Sequence, residues 1–173
     1  EQDGLKVTWI GHATFLMETT RVGDAPRGVR ILSDPVFSER TSPVQFLGPK
    51  RYTPTPCSLE ELPDVDVVII SHNHYDHLDY ATIMHLHARR KDQIHFFCAL
   101  GNASWFHGCG IAAHHVTELD WWDSVNVDVD GIGTLALTCT PSQHVSGRSI
   151  WDRGKALWCS WSLQEENGAK DSQ

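Results

Sequence analysis

Ser71-His-Asn-His-Tyr-Asp-His-Leu-Asp79 is the stretch on which the interpretation of this chain depends, because three histidines and an aspartate fall within six positions. Imidazole nitrogens and carboxylate oxygens are ligands that zinc accepts in catalytic sites, where about three protein ligands leave one position open for water. The apolar run over residues 65–70 comes directly before this stretch and predicts a buried strand. The histidines are therefore expected on a loop at the end of a strand, where they could bind a metal ion.

The spacing of these side chains divides them into two pairs. His72 and His74 are two residues apart, whereas a helical zinc motif places its histidines about four apart on one face. Asp76 and His77 are adjacent and cannot easily turn toward the same ion as the first pair, so they indicate the start of a second metal site. A loop that is rich in histidine by chance is the alternative, and the position of the pattern directly after a hydrophobic strand argues against it.

The pattern His72-x-His74-x-Asp76-His77 resembles the signature of the metallo-β-lactamase fold, whose hydrolases bind one or two zinc ions at the mouth of a four-layered αββα sandwich. Further motifs narrow the resemblance, since together they are similar to the N-acyl-phosphatidylethanolamine-hydrolysing phospholipase D family. The resemblance extends from about residue 5 to about Ser162. Its other motifs are Trp9-Ile-Gly-His-Ala-Thr14, Leu32-Ser-Asp-Pro35, Gly48-Pro-Lys-Arg51, Glu118-Leu-Asp-Trp-Trp-Asp123 and Thr140-Pro-Ser-Gln-His144.

The resemblance implies an α/β fold of the αββα type and a set of ligands from two loops. His144 belongs to the family's second ligand-bearing loop, so it would join His72 and His74 around one zinc ion with water in the fourth place. Asp76 and His77 would contribute to the second site. Asp76 and His144 are the residues expected to take part in catalysis, with Asp76 holding the nucleophilic water or accepting its proton.

Two further motif residues, His12 and Asp34, are predicted at strand ends, where a polar side chain can orient a ligand histidine from behind the metal. Each has a simpler alternative. Asp34 could be a turn carboxylate before Pro35, and His12 could be a hydrogen-bonded structural histidine.

The chain departs from the family near its C-terminus. Residues 156–163 predict a strand, and the family continues from such a strand to a Gly-Asp turn whose aspartate bridges two metal ions. This sequence continues instead with polar residues 164–173, which we expect to form a disordered tail behind an incomplete domain of residues 1–163. Without the bridging aspartate and a later histidine, at most one zinc ion is expected to bind tightly. An uncovered sheet is also expected to favour self-association, such as a homodimer.

Composition restricts the class of protein. The chain has 173 residues, of which 40% are hydrophobic and 21% charged, as expected for one soluble globular domain. A net charge of −8 argues against a general nucleic-acid binder, because phosphate backbones attract lysine and arginine.

No apolar stretch approaches the roughly 20 residues that span a bilayer, so membrane contact is expected to be peripheral. Five cysteines without a Cys-x-x-Cys pair predict reduced thiols and therefore a cytoplasmic location. Peripheral attachment to an internal membrane, including a mitochondrial one, is compatible with that location.

The function implied by the resemblance is that of a zinc-dependent phosphodiesterase of phospholipase D type, which hydrolyses N-acyl-phosphatidylethanolamine to phosphatidic acid and an N-acylethanolamine. The fold supports other chemistries, so a hydrolase of a soluble ester or phosphodiester is an alternative. A truncated, inactive chain that binds zinc is another. Arg148 or Arg153 is a candidate to neutralise a phosphate.

The proline-rich residues 35–63 predict a long loop of the kind that forms lids or binding rims. Lys50 and Arg51 lie in it beside four large apolar side chains, a mixture that suits acyl chains and phosphate head groups: Phe37, Phe46, Leu47 and Tyr52. Inward packing of these aromatic side chains is an equal alternative.

Regular elements are predicted around these loops. Asp79 is placed to cap a helix over residues 80–90 by accepting from its first amides. His107, His114 and His115 lie where no other ligand is near in the sequence, so no metal-binding role is predicted for them. Strands are predicted over 5–10, 15–18, 29–33, 94–98, 124–130 and 134–138, with a short helix over 102–107.

Overall fold

The computed structural model describes residues 4–165, which form two β-sheets and a layer of helices. The elements in chain order are β1 (Lys6–Gly11), β2 (Thr14–Glu18), β3 (Arg30–Ser33), β4 (Val67–Ile70), α1 (Tyr80–Arg90), β5 (His95–Ala99), α2 (Ala103–Gly108), β6 (Val116–Leu119), β7 (Ser124–Val129), β8 (Gly133–Thr140) and β9 (Ser160–Glu165). Two short 3-10 helices, Lys91–Gln93 and Ala113–His115, precede β5 and β6.

The larger sheet has six strands in the order β1-β2-β3-β4-β5-β6. The β1–β2 hairpin is antiparallel to β3, whereas β3, β4, β5 and β6 are mutually parallel. All four residues of β4 are buried, as expected for a parallel strand that is covered on both faces. Because parallel strands end at the same edge, the residues that follow β3 and β4, Asp34 and Ser71, meet there.

Three layers are formed by the described residues. One face of the six-stranded sheet packs on the helices, where Ile83, Leu86 and Phe106 contact Val68 and Phe96. The other face packs on the three-stranded antiparallel sheet β7-β8-β9, whose side chains alternate so that Leu135, Leu137 and Cys139 point inward. The α/β class is confirmed. The fourth layer of the αββα arrangement is not among residues 4–165.

Most of the predicted elements are confirmed within one or two residues, including the opening hairpin and the helix over Tyr80–Arg90. Strand β6 was not predicted, because its sequence Val-Thr-Glu-Leu is short and half polar. The predicted capping role of Asp79 is wrong. Its carboxylate accepts from the amides of Phe37 and Ser38 and from the Thr82 hydroxyl, so it fixes the loop after β3 against α1 instead.

The predicted boundary between domain and tail is also wrong by two residues. Gln164 and Glu165 belong to β9, where they pair with Ala136 and Leu135. The Glu165 carboxylate also accepts from the amide of Thr20, which ties the end of β9 to the first sheet. The rest of the predicted tail, residues 166–173, lies outside the described residues.

The loop over residues 35–63 has no helix or strand and only one isolated bridge, Arg40 to Lys50, in the part of the chain that the structure describes. Phe37 packs on the core. Phe46, Leu47 and Tyr52 are exposed to 83%, 67% and 102%, so the inward packing considered for them does not occur. The loop therefore presents three large apolar side chains to solvent.

A second apolar surface lies on the β1–β2 hairpin. The three-stranded sheet covers Met17 and Ile31 but leaves Val7, Trp9 and Phe15 exposed to 53%, 62% and 37%. These side chains lie on one face of the hairpin, since Val7 pairs with Met17 and Trp9 with Phe15. The described helices include none that is long and apolar enough to cross a membrane.

A buried ion-pair network fixes the start of β4. Asp66 has a side chain that is 1% exposed, and it accepts two hydrogen bonds from Arg27, one from Arg90 and one from the amide of Arg30. The network joins the segment before β3, the end of α1 and the start of β4. Breaking a buried pair by removing one partner is costly, because the other charges remain buried without compensation.

We therefore expect Asp66→Ala to lower the free energy of unfolding by about 3–5 kcal/mol. Asp64→Ala is a matched control, because Asp64 also pairs with Arg90 but has a side chain that is 47% exposed. The control should cost less than about 1 kcal/mol, as exposed pairs do. Urea unfolding of both variants measures the difference, and equal losses would contradict the role given to Asp66.

Candidate metal centre

Three imidazoles from two distant loops converge at the edge where the parallel strands end. His72 follows β4, and its Nε2 atom lies 2.9 Å from Nδ1 of His74. The same atom lies 2.9 Å from Nε2 of His144, which follows β8. The sequence predicted these residues as one ligand set, and the structure brings all three together, with one potential ligand atom from each within 4.8 Å of the others.

The chemistry of this group fits a cation. Burial and the neighbouring charges of His77 and His144 lower the pKa of His72 to about 3, so its ring is neutral at pH 7. A ring nitrogen carries either one proton or one lone pair, so Nε2 of His72 can make only one good hydrogen bond to the two nitrogens that face it. Burial also lowers the pKa of His74. Neutral imidazoles that face one another in this way are the form in which histidine binds metals.

A second group adjoins the first. Oδ2 of Asp76 lies 3.0 Å from Nε2 of His12 and 3.7 Å from Nε2 of His77, and the three residues offer ligand atoms within 4.8 Å of one another. The rings of His72 and His77 have centroids only 4.0 Å apart, so the two groups are in direct contact. His12 was expected to orient a ligand, but the structure places it beside Asp76 and His77 as a third donor.

Asp34 fixes the first residue of the loop that carries His72 and His74. Its carboxylate accepts from the amide and the hydroxyl of Ser71, both at 2.7 Å, and lies 2.9 Å from Nδ1 of His77. Burial opposes charge on His77, but the hydrogen bond to Asp34 raises the pKa of His77 overall. Asp34 adopts a φ of 39°, a strained conformation for a residue other than glycine. Asp34 thus lies within hydrogen-bond distance of His77, and its orienting role stays a prediction.

The electrostatics of Asp76 favour its charged form. Burial raises the pKa of a carboxyl group, but the charge of His77 and the hydrogen bond from His12 lower the pKa of Asp76 on balance. Its side chain is still 39% exposed. Asp76 is therefore a carboxylate at neutral pH that solvent and small molecules can reach.

Arg148 joins the two ligand loops, and sequence reasoning missed this role. One of its guanidinium nitrogens donates to the carbonyl oxygens of Asn73 and Leu78, both at 2.9 Å, and the group lies 3.9 Å from the ring centre of Tyr75. Next to it, the amide of Gly147 donates to Oδ1 of Asn73. Arg148 is thus engaged by the loop that carries His72 and His74, which argues against its use for binding a phosphate.

Comparison with protein families identifies the scaffold. Residues 29–170 match the model of the beta-lactamase superfamily domain. The chain belongs to the beta-lactamase superfamily. A crystal structure from Parabacteroides distasonis that is assigned as a metal-dependent hydrolase has the same fold, with a TM-score of 0.53 and 18% identity over 93% of this chain and 56% of that one.

Within the superfamily, the chain is similar to two proteins described as N-acyl-phosphatidylethanolamine-hydrolysing phospholipases D, so the resemblance seen in the motifs is confirmed. The Caenorhabditis elegans protein is 39% identical over 96% of this chain and 45% of its own length. The mitochondrial protein of Saccharomyces cerevisiae is 38% identical over 79% of this chain and 28% of its own length. A metal-dependent hydrolase of Koribacter versatilis is 27% identical. The chain spans less than half the length of both phospholipase D relatives.

We predict that His74→Ala and His144→Ala each remove one bound zinc ion per chain, because each takes one of three converging ligands. His107→Ala is the control, since His107 is exposed on α2 and belongs to none of the ligand groups among the described residues. Equilibrium dialysis followed by elemental analysis measures the stoichiometry. Undiminished zinc in both ligand variants would show that the three imidazoles do not bind the ion.

Proposed function

We propose that this chain carries the metal centre of a zinc-dependent phosphodiesterase that hydrolyses N-acyl-phosphatidylethanolamine to phosphatidic acid and an N-acylethanolamine. The observation that carries the proposal is the convergence of His72, His74 and His144 next to the exposed carboxylate of Asp76. The names of the worm and yeast relatives support the substrate. Because the chain spans less than half of those proteins, their activity and substrate are proposals for this chain.

The two ligand groups differ in the strength with which they would hold zinc. His72, His74 and His144 would hold one ion tightly, since their nitrogens already face one another in the fold. Asp76 and His77, with His12 as a third donor, would hold a second ion more weakly, because the side chain of His12 is 54% exposed. Bound zinc would lower the pKa of a water ligand to about 7 and so supply a nucleophile at neutral pH.

The protein's own side chains then have defined tasks. Asp76 is a partly exposed carboxylate that would accept a proton from the attacking water, and His12 would take part in that transfer through their hydrogen bond. Asp34 and Arg148 hold the ligand loop in position. Beside this loop, a cavity of about 410 Å³ is lined in part by Asn73, Trp105 and Lys155, and the exposed Lys155 offers a cation to a phosphate group.

The proposed place of action is the surface of an internal membrane in the cytoplasm, where the substrate lies. The exposed Phe46, Leu47 and Tyr52 would enter the boundary between head groups and acyl chains, with Lys50 and Arg51 near the phosphates. The description of the yeast relative as mitochondrial is compatible with such a membrane. A homodimer that covers Val7, Trp9 and Phe15 is also part of the proposal, since these side chains form an uncovered apolar face.

The activity is tested on zinc-loaded protein with vesicles of phosphatidylcholine and N-acyl-phosphatidylethanolamine, with release of phosphatidic acid as the readout. We expect turnover that Asp76→Asn reduces by about 10²–10⁴-fold, the typical contribution of a positioned base. Asp64→Asn, at an exposed site outside the ligand groups, is the control.

Two other candidate functions predict different results in the same assay. A hydrolase of soluble substrates would cleave bis(p-nitrophenyl) phosphate or a simple ester but not the vesicles, and the metal-dependent hydrolase of Koribacter versatilis is a relative that favours it. A chain that binds zinc without turnover would cleave neither. Either outcome would contradict the proposed substrate.

Membrane contact is a separate prediction. The triple substitution of Phe46, Leu47 and Tyr52 by serine should reduce binding to the same vesicles by at least about tenfold, because each exposed side chain loses the apolar area that it would bury. Co-sedimentation measures the bound fraction. Val22→Ser removes an apolar side chain that is 48% exposed elsewhere and is the matched control. Equal binding by the triple variant would exclude this loop as the contact.

A further inference from the structure

A third group of potential metal ligands lies at the opposite edge of the six-stranded sheet. His114 and His115 end the 3-10 helix before β6, and Asp92 lies in the 3-10 helix before β5. Since β5 and β6 are neighbouring parallel strands, their starts meet at one edge, away from the strand ends that carry His72. One ligand atom from each of the three residues lies within 4.8 Å of the others. Asp92 is 23 positions before His115, so this arrangement was not visible in the sequence around the two histidines.

The two adjacent histidines converge. Successive residues of a 3-10 helix point about 120° apart, yet the ring centroids of His114 and His115 are only 4.1 Å apart. Nε2 of His115 lies 3.3 Å from Oδ1 of Asp92. The side chain of His115 is 7% exposed and that of Asp92 is 91% exposed. The group therefore combines one ligand that the fold holds in place with two that approach it from the surface.

A third imidazole lies next to this group. The ring of His87 on α1 has its centroid 5.2 Å from that of His115. Its Nδ1 atom is buried and has no hydrogen-bond partner within residues 4–165. A buried polar atom without a partner is costly, and a bound cation or a water molecule beside it would remove that cost.

A cavity of about 730 Å³ opens beside the three residues, a volume within the usual range of small-molecule sites. Asp128 near the end of β7 and Asp130 in the β7–β8 turn form another part of its wall. The two arginines of the wall, Arg27 and Arg90, already pair with Asp66. The carboxylates of Asp92, Asp128 and Asp130 therefore favour a cation in this cavity.

We propose that Asp92, His114 and His115 form an additional site for a divalent transition-metal ion. Two imidazoles and one carboxylate are a donor set that zinc, nickel and copper ions accept. Three protein ligands leave coordination positions open, and the cavity has room for water or a small anionic molecule there. A bound ion would also link the amino ends of β5 and β6, which lie opposite the strand ends that carry His72, His74 and His144.

The test compares the full chain with the double variant Asp92→Asn, His114→Ala in equilibrium dialysis against zinc and, separately, against copper(II). Both substituted side chains are exposed, so the variant should keep its fold, which circular dichroism checks. We expect the variant to bind one metal ion fewer per chain, or to hold that ion at least about 10-fold more weakly. Electron paramagnetic resonance spectra of the copper(II)-loaded variant should also lack the signal of one nitrogen-ligated ion.

His107→Ala, which changes a histidine outside the ligand groups, should bind as many ions as the unmodified chain. The vesicle assay serves as a second control, because the variant leaves His72, His74 and His144 intact and its rate per zinc-loaded chain should not change. If the double variant binds zinc and copper as the unmodified chain does, the proposal is overturned. Asp92 and His115 would then form only an ion pair, with the ring of His114 packed beside it.

Discussion

The alignment of the carboxyl ends of parallel strands is the constraint that fixes the loop of His72 and His74, around which the other candidate ligands of the first centre assemble. Strands β3 and β4 are buried and paired in register, so the residues that follow them, Asp34 and Ser71, must meet. Asp34 accepts from both the amide and the hydroxyl of Ser71, which fixes the first residue of the ligand loop. The position of His72 follows from that. A hydrophobic strand without any polar function thus determines where the polar chemistry lies.

The second sheet completes the centre. Leu135 and Leu137 of β8 are buried between the sheets, and this packing delivers the end of β8, and with it His144, to the same edge. Arg148 then joins the segment after His144 to the loop of His72 and His74 through two backbone carbonyls. The ligand set therefore depends on inter-sheet packing as well as on the first sheet. A defect in that packing would displace His144 from His72 and His74, which lie more than 60 positions before Leu135 in the sequence.

An uncovered apolar face remains on the described part of the chain. The three-stranded sheet ends at β9 and leaves Val7, Trp9 and Phe15 of the hairpin uncovered in the described part. Relatives of more than twice the length have further residues that could cover such a face. The candidate metal ligands lie apart from this surface, at the ends of β4 and β8.

Local sequence was enough to predict the scaffold and the principal candidate ligands, because the pattern His-x-His-x-Asp-His follows an apolar strand and its residues are close in the chain. Motifs at strand ends also indicated Asp34 and His144. Folding was needed to bring His12 to Asp76, Arg148 to the carbonyl of Asn73, and Asp92 to His115. These contacts join residues that are 64, 75 and 23 positions apart, and the hydrophobic periodicity of a helix or strand does not predict contacts over such separations. They exist because sheet order and the packing of two layers place loops together, and those are properties of the folded chain.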